Sequence, residues 1–436
     1  MSLYDRLGLA SIGLFLLGCV SPLTLAIFMT VSVTTFVGLR LILKYIQTDS
    51  KRKRWLYLLI PLQIAPLIWY KYAHFFGNEI LHLDQVSFAQ IAIPVGISFY
   101  TFQLVAFAVD TLVRHEPLPS PVNALNFAGF FPQIVAGPIE RRESLLHQLE
   151  SFRFRWSKSN LEEGLGWIVV GLFFKRCMAD NLAIVPLLHD GANAYLVWLD
   201  TVLFGFRIYF DFCGYSLMAL GVANCLGIRL TLNFRSPYCS TNITDFWRRW
   251  HVTLSTWFRD YIYIPMGGGR TRFWTINVMV VFVVSGIWHG AGWNFILWGG
   301  LHGIFLIVHR FSKNLKVPTI VCFLITHLGV FFAWLCFYET NTAILLEKMC
   351  LLVTPSSYGI ESLKEGFRSI ITPGGFNVVA MLALIVGVTL LERWSMKEKE
   401  REPYFFLRGK GILVILVFLI VFLGPTADNE FIYFAF

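Results

Sequence analysis

Long apolar runs, separated by short polar or basic stretches, dominate this chain. A helix that crosses a bilayer needs about 20 mostly apolar residues, and roughly ten runs approach that length. They lie near residues 7–20, 22–46, 55–76, 91–110, 122–138, 160–188, 193–226, 273–309 as a pair, 317–338, 374–392 and 411–428. The pattern predicts an all-α, polytopic membrane protein with roughly ten transmembrane helices and with interfacial and re-entrant helices among them.

The composition agrees with a membrane setting. Hydrophobic residues make up 56% of the 436 residues, charged residues only 14%, and the mean hydropathy is +0.62. Ordinary soluble domains are less apolar and carry about 25% charged residues. The eight cysteines include no CxxC pair and no clustered histidine partner, so the sequence predicts no metal site.

Basic residues mark one side of the membrane. They are concentrated at 51–54, 141–158, 229–272 and 393–410, whereas the segment 339–373 mixes acidic and basic residues. By the positive-inside rule, the basic segments are predicted to be cytoplasmic and 339–373 to be a loop on the outer side. This bias explains the net charge of +9, so no nucleic-acid partner is expected.

The paired apolar helices within 273–309 enclose a histidine. Both flanks of the pair are basic, so the chain is predicted to enter the membrane, turn at residues 289–292 and return. The segment from Phe273 to Trp288 rises about 24 Å as a helix, which places His289 deep in the bilayer or near its outer face. An ionisable residue there is a functional-site hypothesis. His302 lies about 20 Å further along and is expected outside direct contact with His289.

The segment 229–272 has a different character, because it carries seven arginines, no lysine and three tryptophans. Apolar residues recur in it at helical spacing from Trp247 to Tyr261. An amphipathic helix is therefore predicted to begin at a Thr244 cap and to place His251 on its apolar face.

The arginines of this segment allow two interpretations. A guanidinium fork binds phosphate well, which favours Arg248, Arg249 and Arg259 as binding residues for the phosphates of a donor. Contacts with lipid headgroups explain the same arginines equally well. A lone histidine such as His251 is, in general, more often a structural residue than a catalytic one, but the all-arginine pattern favours a functional role for the region.

Other polar residues are candidates for the lining of a site. They are Asn233, Asp245, Asp211, Tyr261, Trp288 and Asn294. Asn233, Asp245 and Tyr261 would line the cytoplasmic approach, although each can equally cap a helix or form a local pair. Asp211, within the apolar run YFDFCGYS, is costly to bury without a partner. It is expected either to orient a catalytic group or to be a structural, hydrogen-bonded carboxyl.

Several motifs occur in a fixed order along the chain. The most specific are PYCSTNITDFWRRWHVTLSTWFRDYIYIPMGG at 237–268 and GIWHGAGWNFILWGGLHG at 286–303. PVGISFYTFQ, FPQIVAGPIER, YFDFCGYSLMALGVANCLG and the terminal FIYFAF agree with them. Together they resemble the membrane-bound O-acyltransferase (MBOAT) family, in the branch of the alginate O-acetylation membrane protein. That branch includes peptidoglycan and cellulose O-acetylation proteins and, more distantly, the D-alanyl transfer protein of teichoic acids.

The resemblance implies a helical bundle of the MBOAT type that forms one domain over residues 1–436. Its acyltransferase core would lie at about 90–310, followed by C-terminal helices at about 317–436. It also implies that His289 of the WHG motif is catalytic and that His251 of the WRRWH motif is its companion. Acyl transfer from a thioester needs a base for the acceptor hydroxyl and a donor for the developing oxyanion, and we expect these roles for His289 and His251 respectively.

The resemblance further implies the substrates. The expected donor is cytoplasmic acetyl-CoA, which would be a substrate and not a permanently bound cofactor. The expected acceptor is a hydroxyl on an extracytoplasmic acetyltransferase partner or on a polysaccharide, which implies the cytoplasmic (inner) membrane of a bacterium. Transfer of D-alanyl or another acyl group to a cell-envelope polymer is an alternative within the family.

A transporter or flippase without covalent chemistry is the alternative from another class of protein. Histidines within broken apolar helices also suit proton-coupled transport. The sequence has no repeating halves, and it contains no GxSxG elbow, no P-loop and no dinucleotide fingerprint. The paired histidine motifs favour an acyltransferase.

Overall fold

A computed structural model describes residues 3–82, 92–184, 193–371, 375–396, 403–425 and 429–432. Every regular element within these ranges is helical, which confirms the predicted fold class. By its contacts the chain divides into two compact units: residues 1–168 with 219–232, and residues 169–218 with 233–436. The expected single domain, with its core and C-terminal parts, stays a prediction.

The first unit packs around an apolar core. Its helices are Leu3–Val20, Pro22–Tyr45, Asp49–Arg54, Leu56–Leu67, Ile97–Val113, Pro121–Ala128, Arg142–Glu150 and most of Lys158–Leu172, with π-helical segments at Ile68–Tyr72 and Phe76–Ile80. Leu39, Phe107, Phe127 and Leu145 are almost fully buried in this core. Close packing of such side chains stabilises the unit through van der Waals contacts, which also act between helices in a membrane.

The second unit contains the motif segments and has an aromatic core. Its helices are Asp180–Ile184, Ala194–Cys225 as far as residue 218, Ile243–Trp247, Val252–Phe258, Trp274–His289, Trp293–Phe311, Thr319–Tyr338, Thr342–Val353, Ile360–Ile371, Gly375–Ser395 and Lys410–Leu423, with a π-helical segment at Phe173–Ala179. Trp250, Trp298 and Trp334 are at most 1% exposed. Large aromatic side chains bury much area each, so they dominate the packing here.

Five helices among the described residues are long and apolar enough to cross a membrane. They are Leu3–Val20, Pro22–Tyr45, Trp293–Asn314, Thr319–Tyr338 and Val378–Ser395. Three shorter apolar helices accompany them, namely Ile97–Val113, Trp274–His289 and Lys410–Leu423. The chain is therefore a multi-pass membrane protein, with fewer full-length spans in these ranges than the roughly ten predicted.

The span predicted at 122–138 is wrong. Helix Pro121–Ala128 stops after eight residues, and turns follow at 131–136. Pro132 lacks the N–H group that a helix needs, and it disfavours helical backbone at Phe131. The apolar run continues past this point, so hydrophobicity alone could not show the end of the helix.

The segment 339–373 is not the loop that was predicted. It contains the helices Thr342–Val353 and Ile360–Ile371. The side chain of Asn341 caps the first of them, because its carbonyl oxygen accepts hydrogen bonds from the backbone N–H groups of Ala343 and Ile344, at 3.0 and 3.2 Å.

Candidate active site

The helices Trp274–His289 and Trp293–Phe311 form a hairpin around residues 290–292, which we call the WHG hairpin. The turn predicted from the sequence is confirmed. His289 is the last residue of the first helix, and it is only 3% exposed. The hairpin therefore presents a buried histidine beside its turn.

Two glycines let the helices of the WHG hairpin touch. A Cβ atom at Gly286 would collide with the carbonyl oxygen of Phe295, and a Cβ atom at Gly299 would collide with that of Phe282. Small residues permit such close backbone contact between apolar helices. The position of His289 is thereby fixed relative to the second helix.

Aromatic rings enclose the imidazole of His289. Its centroid lies 5.0 Å from the ring of Trp288, 5.0 Å from that of Trp298 and 5.2 Å from that of Phe337. Packing on several sides fixes the orientation of the imidazole, as a catalytic base requires.

The segment around His251 is not the continuous helix that was predicted. Helix Ile243–Trp247 ends, residues 248–251 form turns and bends, and helix Val252–Phe258 begins. His251 has a φ angle of +41°, in the left-handed region. An L-residue in this conformation cannot continue a right-handed helix, so the helix breaks at the candidate catalytic residue.

Asn233 holds the imidazole of His251. The Nδ1 atom of His251 lies 3.3 Å from Oδ1 of Asn233, and the same oxygen accepts hydrogen bonds from the Thr253 backbone N–H at 3.3 Å and the Thr253 hydroxyl at 2.6 Å. A backbone N–H can only donate, so the Asn233 atom that faces it is the carbonyl oxygen. The Nδ1 atom of His251 must then carry the ring proton, and Nε2 carries the lone pair.

The imidazole of His251 is electrically neutral at physiological pH. It is fully buried, outside the apolar spans, and burial lowers the pKa of His251 from 6.5 to about 3 because a charged ring would lose its hydration. A neutral ring with its proton on Nδ1 accepts a hydrogen bond at Nε2. This arrangement suits a hydrogen-bond acceptor better than the oxyanion donor expected from the sequence.

Trp288 connects the two candidate catalytic histidines. Its ring centroid lies 6.1 Å from that of His251 and 5.0 Å from that of His289. The structure thus brings both histidines, which are far apart in sequence, to one tryptophan. Trp288 was predicted as a lining residue of a site, and that role stays a prediction.

A cavity of about 1030 Å³ lies beside the WHG hairpin in the second unit. Its apolar lining includes Trp247 and Phe282. Two further lining residues adjoin the histidines in sequence: Val252 directly follows His251, and Ser285 lies one helical turn before His289. Neither His251 nor His289 is itself among the described residues that line the cavity.

Four cationic side chains are among the described residues that line this cavity. Arg248 and Arg259 were predicted as phosphate-binding residues, whereas Arg310 and Lys313 were missed. Arg310 stacks on the ring of Trp274 at 4.2 Å and donates a hydrogen bond to the carbonyl oxygen of Gly269. The second helix of the WHG hairpin runs back toward the side on which the first helix begins. The basic residues at the C-terminal end of the hairpin were therefore the sequence signal that could have revealed Arg310 and Lys313.

Arg249 is not among the residues that line the described cavity. Its Nε atom pairs with Oδ1 of Asp245 at 2.9 Å, and its guanidinium also contacts the sulfur of Met396 at 3.2 Å. Of the three arginines predicted for donor phosphates, the cavity therefore combines Arg248 and Arg259 only.

Asp245 has a local structural environment. Besides its pair with Arg249, its backbone N–H donates to the side-chain oxygen of Asn242 at 2.8 Å. The predicted helix cap at Thr244 is therefore wrong by two residues: Asn242 satisfies the N-terminal N–H group.

Tyr261 and Asn294 were also predicted as lining residues. The ring of Tyr261 packs on that of Trp257 at 5.2 Å. The amide of Asn294 donates to the carbonyl oxygen of Cys336 at 2.8 Å and so connects the WHG hairpin to the next helix. Both contacts are structural, and a direct role in a site stays a prediction.

Asp211 forms a buried ion pair. Its Oδ1 atom lies 2.7 Å from Nζ of Lys175, and its Oδ2 atom accepts a hydrogen bond from the backbone N–H of Ile432 at 2.6 Å. These contacts match one of the two alternatives expected for Asp211, a structural, hydrogen-bonded carboxyl. They hold the segment 429–432, whose Phe431 packs on Phe212 at 5.8 Å.

Phe212 in turn reaches His251. Its ring lies edge-on to the imidazole at 4.7 Å. The residues 429–432 thus support the wall of the candidate site, which the motif FIYFAF indicated only as a resemblance.

The hydrogen bond to Asn233 predicts one tautomer of His251. In ¹⁵N spectra of protein with labelled histidine, His251 should be neutral, with its proton on Nδ1, throughout about pH 5 to 8. Asn233→Leu removes the acceptor, so the Nδ1–H form should lose its preference. Thr253→Val is the matched control, since it removes another donor to the same oxygen and should leave the tautomer unchanged. A wild-type His251 that titrates near pH 6.5 would contradict the assignment.

Comparison with known proteins shows the family of this chain. The family model "MBOAT, membrane-bound O-acyltransferase family" matches residues 12–346. A peptidoglycan O-acetyltransferase of Helicobacter pylori is 29% identical over 89% of this chain and 84% of its own, and a probable alginate O-acetylase of Pseudomonas aeruginosa is 34% identical over 87% and 74%. A teichoic acid D-alanyltransferase of Bacillus subtilis is 32% identical over 50% of this chain and 60% of its own. The chain therefore belongs to the membrane-bound O-acyltransferase family and is a membrane O-acyltransferase.

Proposed function

We propose that this protein transfers an acetyl group from acetyl-CoA to a hydroxyl group and that His289 is the general base. The cavity is the observation that carries the proposal. It combines four cationic side chains with an apolar wall, and its lining includes Val252 and Ser285, which lie near the two histidines in sequence. Coenzyme A has the same division, because its phosphates are charged and the arm that carries the thioester is not. Typical ligand pockets occupy about 300–1,000 Å³, so about 1030 Å³ suits a ligand of this size.

The cationic residues suit the phosphates of the donor. Arg248, Arg259 and Arg310 each offer a planar fork that can bind a phosphate through two hydrogen bonds, and Lys313 adds a point charge. The stacking of Arg310 on Trp274 holds its guanidinium in place before a ligand arrives. Less conformational entropy is then lost on binding.

The proposed reaction needs a base beside the thioester. His289 takes the proton of the acceptor hydroxyl as the hydroxyl oxygen attacks the acetyl carbonyl carbon. The carbon–sulfur bond then breaks, and the thiol leaves with the proton that His289 returns. The aromatic enclosure of His289 limits access of water, which would otherwise hydrolyse the thioester. His251, whose Nε2 atom carries a lone pair, assists as a hydrogen-bond acceptor.

The comparisons favour acetyl over D-alanyl transfer. The relatives named as O-acetylating proteins match 89% and 87% of this chain, whereas the relative named as a D-alanyltransferase matches 50%. Both O-acetylating relatives are named for cell-envelope or secreted polysaccharides. We propose such a polysaccharide as the final acceptor, reached directly or through an extracytoplasmic acetyltransferase partner.

The proposed location is the inner membrane of a bacterium, with the donor on the cytoplasmic side. The segment 229–272 contributes Arg248 and Arg259 to the cavity, and its excess of arginine predicts a cytoplasmic position. An acetyl group would enter there and leave toward the outer face, so that the charged coenzyme never crosses the bilayer.

The role of His289 predicts a large loss of activity on substitution. His289→Ala should reduce acetyl transfer by about 10² to 10⁴, because a positioned general base contributes that factor. Its thermal melting in detergent should stay near that of the wild type. His147→Ala, which changes an exposed histidine, is the control and should keep full activity. If His289→Ala retains more than a few per cent of transfer, another group is the base; if the wild-type protein transfers no acyl group but moves a solute, the transporter alternative is right.

The cationic lining predicts that charge reversal affects a donor with phosphates more than a donor without them. Arg248→Glu and Arg310→Glu should each raise the apparent KM for acetyl-CoA at least about 10-fold, since a hydrogen bond to a charged group contributes about 1.5–3 kcal/mol. Transfer from S-acetyl-N-acetylcysteamine, a thioester without phosphate, should change little. Arg272→Glu is the matched control, because Arg272 is exposed and stacks on Phe273 instead. An equal loss with both donors would indicate a folding or lipid-binding role.

The proposed route predicts transfer across the membrane. Single cysteines at the exposed positions Ser50 and Ser356, in a background without the native thiols, should label from opposite sides with an impermeant maleimide. In inverted vesicles, acetyl-CoA added outside should acetylate an acceptor trapped in the lumen. Acetylation only when donor and acceptor share one face would refute the cross-membrane route, while an acyltransferase acting on one face would remain.

A further inference from the structure

His302 is a fully buried polar residue without a hydrogen bond. It lies on the second helix of the WHG hairpin with 0% exposure, and neither ring nitrogen has a hydrogen-bond partner within the described part of the chain. Aromatic rings surround it. They belong to Phe246 at 6.4 Å, Trp247 at 5.0 Å, Phe282 at 6.4 Å, Trp298 at 4.7 Å and Phe305 at 5.7 Å.

Such an environment destabilises the folded protein, because an imidazole taken out of water without new partners loses its hydration. Another buried histidine has a hydrogen-bond partner for one of its ring nitrogens. His327, on helix Thr319–Tyr338, has its Nδ1 atom 2.9 Å from the carbonyl oxygen of Phe323. His302 is therefore not explained as an ordinary structural histidine, and local conflicts of this kind are typical of functional positions.

The lining of the cavity and the aromatic surroundings of His302 have two side chains in common. Trp247 and Phe282 line the cavity and also contact the imidazole of His302. The indole Nε1 atom of Trp247 is itself buried without a hydrogen-bond partner among the described residues. Three buried polar atoms are thus available: the indole N–H of Trp247, which donates, and the two ring nitrogens of His302, one of which donates and one of which accepts when the ring is neutral.

This set of groups matches an amide. An amide carbonyl accepts a hydrogen bond, and an amide N–H donates one, so one amide could satisfy His302 or could be shared between His302 and Trp247. The arm of coenzyme A that carries the thioester contains amides and no charge. We infer that Trp247 and His302 form a subsite that binds an amide of the acyl donor, and this inference rests on the proposed function.

The position of the subsite relates it to the chemistry. The ring of Trp298 lies 4.7 Å from that of His302 and 5.0 Å from that of His289, so one side chain separates the subsite from the proposed base. His302 was expected outside direct contact with His289, and the ring of Trp298, which contacts both imidazoles, agrees with that expectation. Trp247 both lines the cavity and contacts His302.

The test compares two short donors. S-acetyl-N-acetylcysteamine carries one amide, and S-pentyl thioacetate has the same length without it. In His302→Phe, kcat/KM for the amide donor should fall roughly 3- to 10-fold, the effect of one or two neutral hydrogen bonds. The value for S-pentyl thioacetate should stay unchanged. His302→Gln keeps one donor and one acceptor and should restore most of the preference for the amide.

A second measurement distinguishes binding from a structural role. Because His302→Phe removes a buried polar group without a partner, its melting temperature should equal or exceed that of the wild type. His327→Phe is the matched control: it removes a histidine whose Nδ1 atom has a hydrogen-bond partner, so it should melt lower and keep the wild-type ratio of the two donors. Equal loss with both donors, or a lower melting temperature for His302→Phe, would overturn the subsite.

Failure of the proposed function gives a different result. If wild-type protein transfers from neither thioester, acetyl transfer from such donors is wrong. A binding measurement then tests the subsite independently of catalysis. S-acetyl-N-acetylcysteamine should raise the melting temperature of the wild type and not that of His302→Phe. An equal rise in both proteins would exclude an amide contact at His302.

Discussion

The close contact between the two helices of the WHG hairpin is the constraint on which both ends of the candidate site depend. Gly286 and Gly299 let the backbones touch, so the second helix returns along the first. At one end this places Trp298 against His289, and at the other it places Arg310 on Trp274. One contact between two glycines and the facing backbone thus sets both the aromatic enclosure of His289 and the position of Arg310 at the cavity.

The conformation of His251 depends on a balance between backbone strain and hydrogen bonds. A non-glycine residue in the left-handed region is strained by roughly 1–3 kcal/mol, and such strain persists only where the surroundings over-determine it. Here Asn233 supplies the surroundings, since its backbone carbonyl accepts from Val252 at 2.9 Å and its side chain accepts from Thr253 and His251. The strain turns the imidazole away from the regular helical face and toward Phe212 and Trp288.

Much of this arrangement could be predicted from the sequence, and the exceptions have physical causes. Hydropathy and the positions of Gly290 and Gly292 predicted the WHG hairpin, because a bilayer forces long apolar runs into helices. The break at His251 could not be predicted, since apolar spacing continues through it and only tertiary hydrogen bonds stabilise the left-handed turn. Arginine chemistry favoured a phosphate-binding role for the segment 229–272, but composition could not show that Asp245 pairs with Arg249 while Arg310 joins the cavity.

The contact of Phe431 with Phe212 has a consequence for how the site is assembled during synthesis. His251, Asn233 and Phe212 are all translated well before residues 429–432, which follow the apolar helix Lys410–Leu423. The segment 429–432 can dock on Lys175 and Asp211 only after that helix has been synthesised. The wall of His251 is therefore completed only after the residues that form the rest of the candidate site have been made, so the nascent chain carries this site with one wall still open.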